Sequence, residues 1–260
     1  MLKTRVITAV IALVALGIVL FAIPPQATEL VIGLLILAGA WEWSGFLGLQ
    51  TRSARIAYVV LIGLLCAVPY AVPSVALIVL QIAFVWWFAA FIWTMVFPTR
   101  IPVAVRWLCG ALVLVPLYTA LIKLFGYGPV YLLFALVIVW AADAGAYFAG
   151  KRFGRVKLAP SISPGKTWEG VIGGMLLVIV LSIAVAYRAE VSVAVLLPFC
   201  LAVAALSIVG DLTVSMFKRT AGIKDSGTLF PGHGGVLDRV DSVAAAAPLF
   251  TLGIRWLGLV

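Results

Sequence analysis

The chain is 260 residues long, 65% hydrophobic and 10% charged, with a formal net charge of +9. Soluble domains run at about 45–50% apolar and about 25% charged, so one water-facing core of this length could not bury so much apolar surface. The composition excludes a soluble globular domain, and without a soluble basic domain to hold it, nucleic acid is excluded as a partner.

With lipid as solvent, backbone polar groups must be satisfied internally, which leaves helices or a closed barrel. A barrel would alternate in polarity along short segments, whereas Val6–Phe21 and Leu132–Ala142 run apolar without alternation. The fold class expected is therefore all-α, a polytopic membrane bundle. A hydrocarbon core of roughly 30 Å takes about 20 residues per helix. By that rule nine spans follow along the chain, near 6–22, 29–47, 56–72, 75–96, 107–122, 129–149, 169–187, 191–209 and 242–258. Breakers separate them: Pro24-Pro25, Pro73, Pro98, Gly126 with Gly128, and the charged Arg188–Glu190 turn. Lys3 and Arg5 precede the first span as in a signal peptide, but its length and the eight spans after it make it a retained helix.

Lys and Arg collect on the cytoplasmic side of membrane proteins. With the N-terminus inside, fifteen of the 18 fall on the inner side and only Lys123, Arg188 and Arg255 outside. The expectation is a multi-pass protein of the inner (cytoplasmic) membrane with a cytoplasmic N-terminus. Residues 1–128 read as a transmembrane scaffold. Residues 129–260 read as a catalytic transmembrane region with two long cytoplasmic loops, the segments 150–168 and 210–241. Cys66, Cys109 and Cys200 lie far apart in apolar stretches and read as buried hydrophobes. A single His excludes a zinc site built from His and Cys.

The first polar segment begins inside a span. Asp143 lies about two turns from the span's cytoplasmic end, either as a buried polar contact or as a metal or nucleotide contact. Ala142, Ala146 and Gly150 make a small-residue stripe for close helix packing, and Gly170 with Gly174 is a GxxxG pair of the same kind. Lys151, Arg152, Arg155, Lys157 and Lys166 form a basic collar at headgroup depth, topogenic and also suited to gripping a substrate phosphate. Gly165-Lys166-Thr167 mimics the end of a phosphate-binding P-loop, but Pro160 stands where that loop needs Gly and no strand precedes it.

The second segment is denser. Asp211, Asp225, Asp238 and Asp241, the cations Lys218, Arg219, Lys224 and Arg239, and the only His, His233, fall within 31 residues, interleaved with glycines. Asp238 and Asp241 share a helical face at i, i+3, where they could simply complement a helix N-terminus. Asp211, at the end of a span, is a membrane-level carboxylate and so a functional candidate. Carboxylates without Cys or His partners suit Mg²⁺ held together with substrate phosphates. The backbone N–H groups of Gly234 and Gly235 suit a phosphate cradle. His233 is either a polar loop residue or a donor to phosphate oxygen. The constellation points to phosphoryl or nucleotidyl transfer.

Ser215, Phe217, Lys218-Arg219, Lys224-Asp225, Gly227, Phe230-Pro231, His233-Gly234-Gly235, Asp238-Arg239 and Asp241 resemble the signature of the phosphatidate cytidylyltransferase family at every fixed position. The resemblance extends to Ser163–Gly170 (SPGKTWEG) and to the region of Asp143. It implies transfer of CMP from CTP to phosphatidic acid, giving CDP-diacylglycerol and pyrophosphate, with a divalent metal and a cytoplasmic site; it admits a homodimer. It assigns metal binding to Asp211 and Asp238 with Asp241 close by, and leaves room for a second cation beside Mg²⁺. Lys218, Arg219, Lys224, His233 and Arg239 are then expected in the catalytic group. Asp143, Lys151, Ser163, Lys166, Gly234 and Gly235 are expected to contact substrate. A CDP-alcohol phosphatidyltransferase would need an Asp-Gly-x-x-Ala-Arg pattern that is lacking here. A lipid kinase would move a phosphoryl and not a nucleotidyl group. A transporter would place its charges near the midplane of repeated halves, whereas these gather at one face.

Overall fold

A computed structural model describes residues 2–227 and 234–259, with side chains from residue 10 onward. His233, Phe230 and Pro231 of the signature therefore lie outside the described residues, as do the side chains of Lys3 and Arg5. Within it are nine helices: α1 (Leu2–Phe21), α2 (Pro25–Phe46), α3 (Arg52–Ala71), α4 (Pro73–Val96), α5 (Val103–Tyr127), α6 (Pro129–Phe153), α7 (Trp168–Ala189), α8 (Val193–Thr220) and α9 (Leu237–Trp256). Each falls on an expected span. Two of the prolines read as breakers, Pro25 and Pro73, become starts by opening α2 and α4, and Pro129 opens α6 in the same way, where a missing N–H costs nothing. Gly128, at φ 144°, makes the sharp junction between α5 and α6. Thr51 and Thr167 cap α3 and α7 by accepting from Ala54 N and Gly170 N, each at 3.2 Å.

Seven of these helices, α2 to α8, are long and apolar enough to cross a membrane. The chain is an all-α multi-pass membrane protein. Large apolar side chains such as Leu64, Val85, Phe88 and Val180 point outward to lipid. Helix α9 is more polar, and its position explains why. It packs against α4, α5, α6 and α8, and Val243–Ala247, Phe250 and Leu252 are buried in protein. A helix surrounded by helices needs small residues for close approach more than it needs lipophilicity.

The α6–α7 pair is the tightest. A Cβ on Gly174 would stand 2.6 Å from Ala142 O, and one on Gly170 would stand 3.0 Å from Ala146 O. The stripe Ala142, Ala146, Gly150 thus meets the Gly170/Gly174 pair, as the sequence suggested for both. The three cysteines are free and buried.

Two expectations need correction. The segment 210–241 is not a loop from its start, because α8 continues to Thr220. Asp211 therefore sits within a helix and not at its end. The run Leu212–Lys218 is buried throughout, so protein contacts, not lipid, carry the helix past the point where hydropathy fails. The segment 150–168 is not irregular either. It holds a two-stranded antiparallel hairpin, β1 (Lys157–Ala159) and β2 (Ser163–Thr167), pairing Lys157 with Thr167 and Ala159 with Ser163. Gly165-Lys166-Thr167 lies on β2 with the short strand β1 before it, so the expectation that no strand precedes it fails; the P-loop stays excluded because Pro160 stands at the glycine position and these residues are themselves paired strand. A lone hairpin is marginal. This one is anchored by buried Ile162 and by the Glu169 carboxylate, which accepts from Val156 N at 3.1 Å.

Candidate active site at the hairpin end of the bundle

The site is assembled where the hairpin, the last turns of α8 and the first turn of α9 meet. Helix α8 supplies Asp211, Ser215, Lys218 and Arg219. With 3.6 residues per turn, Asp211, Ser215 and Lys218 share one face. The Ser215 hydroxyl donates to Asp211 Oδ1 at 3.2 Å. Asp211 Oδ2 pairs with Lys166 Nζ from β2 at 2.6 Å, both side chains about a quarter exposed (25% and 26%). Arg219 Nε donates to Ile162 O in the hairpin turn at 3.1 Å. The two polar segments, separate in sequence, are thus one structure.

The second ion pair is buried. Lys218 Nζ stands 2.7 Å from Asp238 Oδ1, with side chains 9% and 8% exposed. Asp238 Oδ2 accepts from Ser226 N at 2.8 Å and Gly235 N at 3.0 Å. Gly234 adopts φ 80°, and a Cβ there would meet Asp238 Oδ2, so the left-handed backbone and the close approach both require glycine. The N–H of Gly235 is turned to Asp238, so the expected phosphate cradle has one donor already committed.

Asp241 lies one helical turn further on, near enough to Asp211, Lys218 and Lys166 to feel their charge. Asp143 on α6 is similarly within electrostatic reach of Lys166, Asp211 and Arg239. Lys224 and Arg239 are exposed. Ser163 opens β2 opposite Ala159. Lys151 is exposed on the last turn of α6, with its ammonium 5.7 Å from the centroid of the Tyr147 ring, and takes part in neither ion pair.

Among the described residues, no three His, Cys, Asp or Glu side chains are gathered as a ready metal cage. The three expected ligands are close neighbours but do not form one. Mg²⁺ does not need such a cage, being commonly held by one or two carboxylates together with water and substrate phosphates. An ionised carboxylate has about four acceptor positions; Asp211 uses two and Asp238 three. Each already draws an ammonium, Lys166 or Lys218, so hard oxygen donors with capacity for a cation are present. The residues fit the ion.

One residue that reaches the site was not visible as such in the sequence. Glu42, on α2, is buried and reaches across to the 226–237 region. Trp43 beside it packs on Phe217 of α8, ring centroids 5.1 Å apart, so the N-terminal helices support the site directly. A carboxylate inside an apolar helix is the signal that could have marked Glu42.

The chain as a whole is similar to known proteins. Residues 3–257 match the model of the cytidylyltransferase family. A phosphatidate cytidylyltransferase of Pseudomonas aeruginosa is 43% identical over 260 residues, covering 96% of both chains. One of Haemophilus influenzae is 34% identical over 283 residues, covering 96% of this chain and 98% of its own. One of Staphylococcus aureus is 45% identical over 124 residues, 47% of this chain and 48% of its own.

Proposed function

The chain belongs to the cytidylyltransferase family, and from that premise we propose that it is a phosphatidate cytidylyltransferase, moving CMP from CTP to phosphatidic acid. The reading rests on its full-length relatives of that name and on one geometric observation. The Lys166–Asp211 and Lys218–Asp238 pairs bring alternating charge from two segments to one end of the bundle. That is the arrangement a phosphate-to-phosphate reaction needs.

The phosphate oxygen of phosphatidic acid attacks the α-phosphorus of CTP in line. A new P–O bond forms, the α–β bond breaks, and pyrophosphate leaves with its electron pair. A phosphate monoester is already largely ionised at neutral pH, so no strong base is required. Lys166, Lys218, Arg219, Lys224 and Arg239 offset the negative charge of nucleotide and lipid headgroup. Lys151, Ser163, Asp143, Gly234 and Gly235 are the residues assigned to substrate contact in this reading, and His233 of the signature joins the catalytic group. Asp211 and Asp238, with Asp241 next to them, would hold Mg²⁺, which supplies charge neutralisation on the phosphate oxygens.

The test is a purified-protein assay with phosphatidic acid and CTP labelled at either the α or the γ phosphorus. The expected result is a labelled CDP-lipid from α-label only, abolished by excess EDTA. Lipid labelled from the γ position would make this a kinase, and full turnover in chelator would remove the metal from the mechanism.

We further place the N-terminus and the site on the cytoplasmic side of the inner membrane, on the fifteen-to-three distribution of Lys and Arg. In intact cells an impermeant thiol reagent should modify Arg188→Cys and spare Lys157→Cys. The opposite pattern inverts the topology.

A further inference from the structure

We infer that Glu42 is a positioning residue: its carboxylate clasps both flanks of the 228–233 segment and thereby fixes Asp238. This rests on the cytidylyltransferase reading of Asp238 for its functional meaning, though not for its geometry.

Glu42 is 8% exposed. On one flank its Oε2 accepts from the Ser226 hydroxyl at 2.9 Å. On the other it accepts from Val236 N at 2.9 Å and Leu237 N at 2.8 Å. The glycines on the two flanks match it, since a Cβ on either Gly227 or Gly235 would collide with the Glu42 carboxylate. Neither ion pair among the described residues includes it. Three donors and the positive end of α9 are what hold the buried charge.

Ser226 makes the link to the site. Its hydroxyl donates to Glu42 while its N–H donates to Asp238 Oδ2 at 2.8 Å. Leu237, held through its N–H, is the residue before Asp238. Glu42 therefore sets both the start of α9 and the loop strand that grips the Asp238 carboxylate, across a sequence separation of 184 to 195 residues. Glutamine at position 42 would keep one acceptor oxygen but turn an NH₂ toward N–H or O–H donors, leaving a buried donor unsatisfied.

The experiment uses the full chain in detergent, with Glu42→Gln, Ser226→Ala, and Glu29→Gln as control. Glu29 is on the same helix but accepts from the exposed Tyr70 hydroxyl, far along the chain from this site's residues. Two quantities are read: amide hydrogen exchange by segment, and initial rates of CDP-lipid formation. Glu42→Gln should speed exchange in 222–240 and leave α3 to α5 unchanged. It should lower kcat at least ~10-fold, and Glu29→Gln should do neither. In an Asp238→Asn background the same change should add less than ~2-fold, because residues acting as a unit are not additive. A merely structural glutamate would add its full loss there. Exchange that is unchanged, or raised evenly through the bundle, overturns the clasp. If Glu42→Gln does not fold, Ser226→Ala, which leaves the carboxylate in place, must show the same local exchange or the inference fails. Should the unmodified chain form no CDP-lipid, the functional reading falls, and the exchange measurement still decides the clasp.

Discussion

Asp211→Asn is expected to lower turnover at least ~10²-fold, the cost of removing one preorganised electrostatic group from a site, with little loss of stability. The two effects separate because of where Asp211 sits. Its ion pair with Lys166 is short, 2.6 Å, but both side chains are about a quarter exposed. Pairs with that much water access contribute only ~0–1 kcal/mol. Asparagine also keeps the oxygen that accepts from Ser215, so α8 loses no helical contact. What it loses is the charge that orders Lys166 at the hairpin and that would hold a cation against substrate phosphates. Initial rates at saturating CTP, beside a thermal unfolding curve in detergent, check this. Turnover above about a tenth of the unmodified protein, with the same unfolding midpoint, would remove Asp211 from the site.

Hydropathy located the nine helices because lipid enforces one rule along the whole chain: about 20 apolar residues per crossing. The rule fails where lipid stops being the neighbour. Leu212–Lys218 carry Thr, Ser and Lys yet remain helical and buried, since protein, not hydrocarbon, surrounds them. For the same reason α9 is the least lipophilic of the expected spans and the most enclosed. The hairpin at 157–167 was hidden for another reason. Its strands are three and five residues long, too short for a period-2 pattern. Their anchors, Ile162 to Arg219 and Lys166 to Asp211, are tertiary.

The site was more legible than the loops that carry it. Asp211, Lys218, Asp238 and Lys166 were singled out by residue type and density, and the fold pairs them two by two. The pairing itself was not readable: Asp238 and Asp241 share a helical face in sequence, but the closest partner of Asp238 is Lys218, twenty residues earlier. Glu42 escaped notice because it stands thirteen residues from Glu29, the other carboxylate of α2, and far in sequence from both polar segments. Two of its three partners are backbone N–H groups, which no sequence pattern displays.

The buried pair Lys218–Asp238 gives the largest combined effect. With side chains 9% and 8% exposed, removing one charge leaves the other stranded. Asp238→Asn alone is expected to destabilise the protein by about 3–5 kcal/mol and to cut turnover at least ~10²-fold. Lys218→Met alone should destabilise less, because Asp238 keeps the N–H donors of Ser226 and Gly235. The double variant, Lys218→Met with Asp238→Asn, leaves no unpaired charge, and asparagine still offers an oxygen to those donors. Its stability should recover most of the loss seen in Asp238→Asn, by the double-mutant logic for groups in contact. Turnover should not recover, because neither methionine nor asparagine can neutralise a phosphate or hold a cation. Denaturation midpoints and initial rates measured on the same three preparations separate the two roles. If activity returned together with stability in the double variant, Asp238 would be a clasp for the N–H groups of Ser226 and Gly235 and nothing more, and the chemistry would rest on Asp211 and its neighbours.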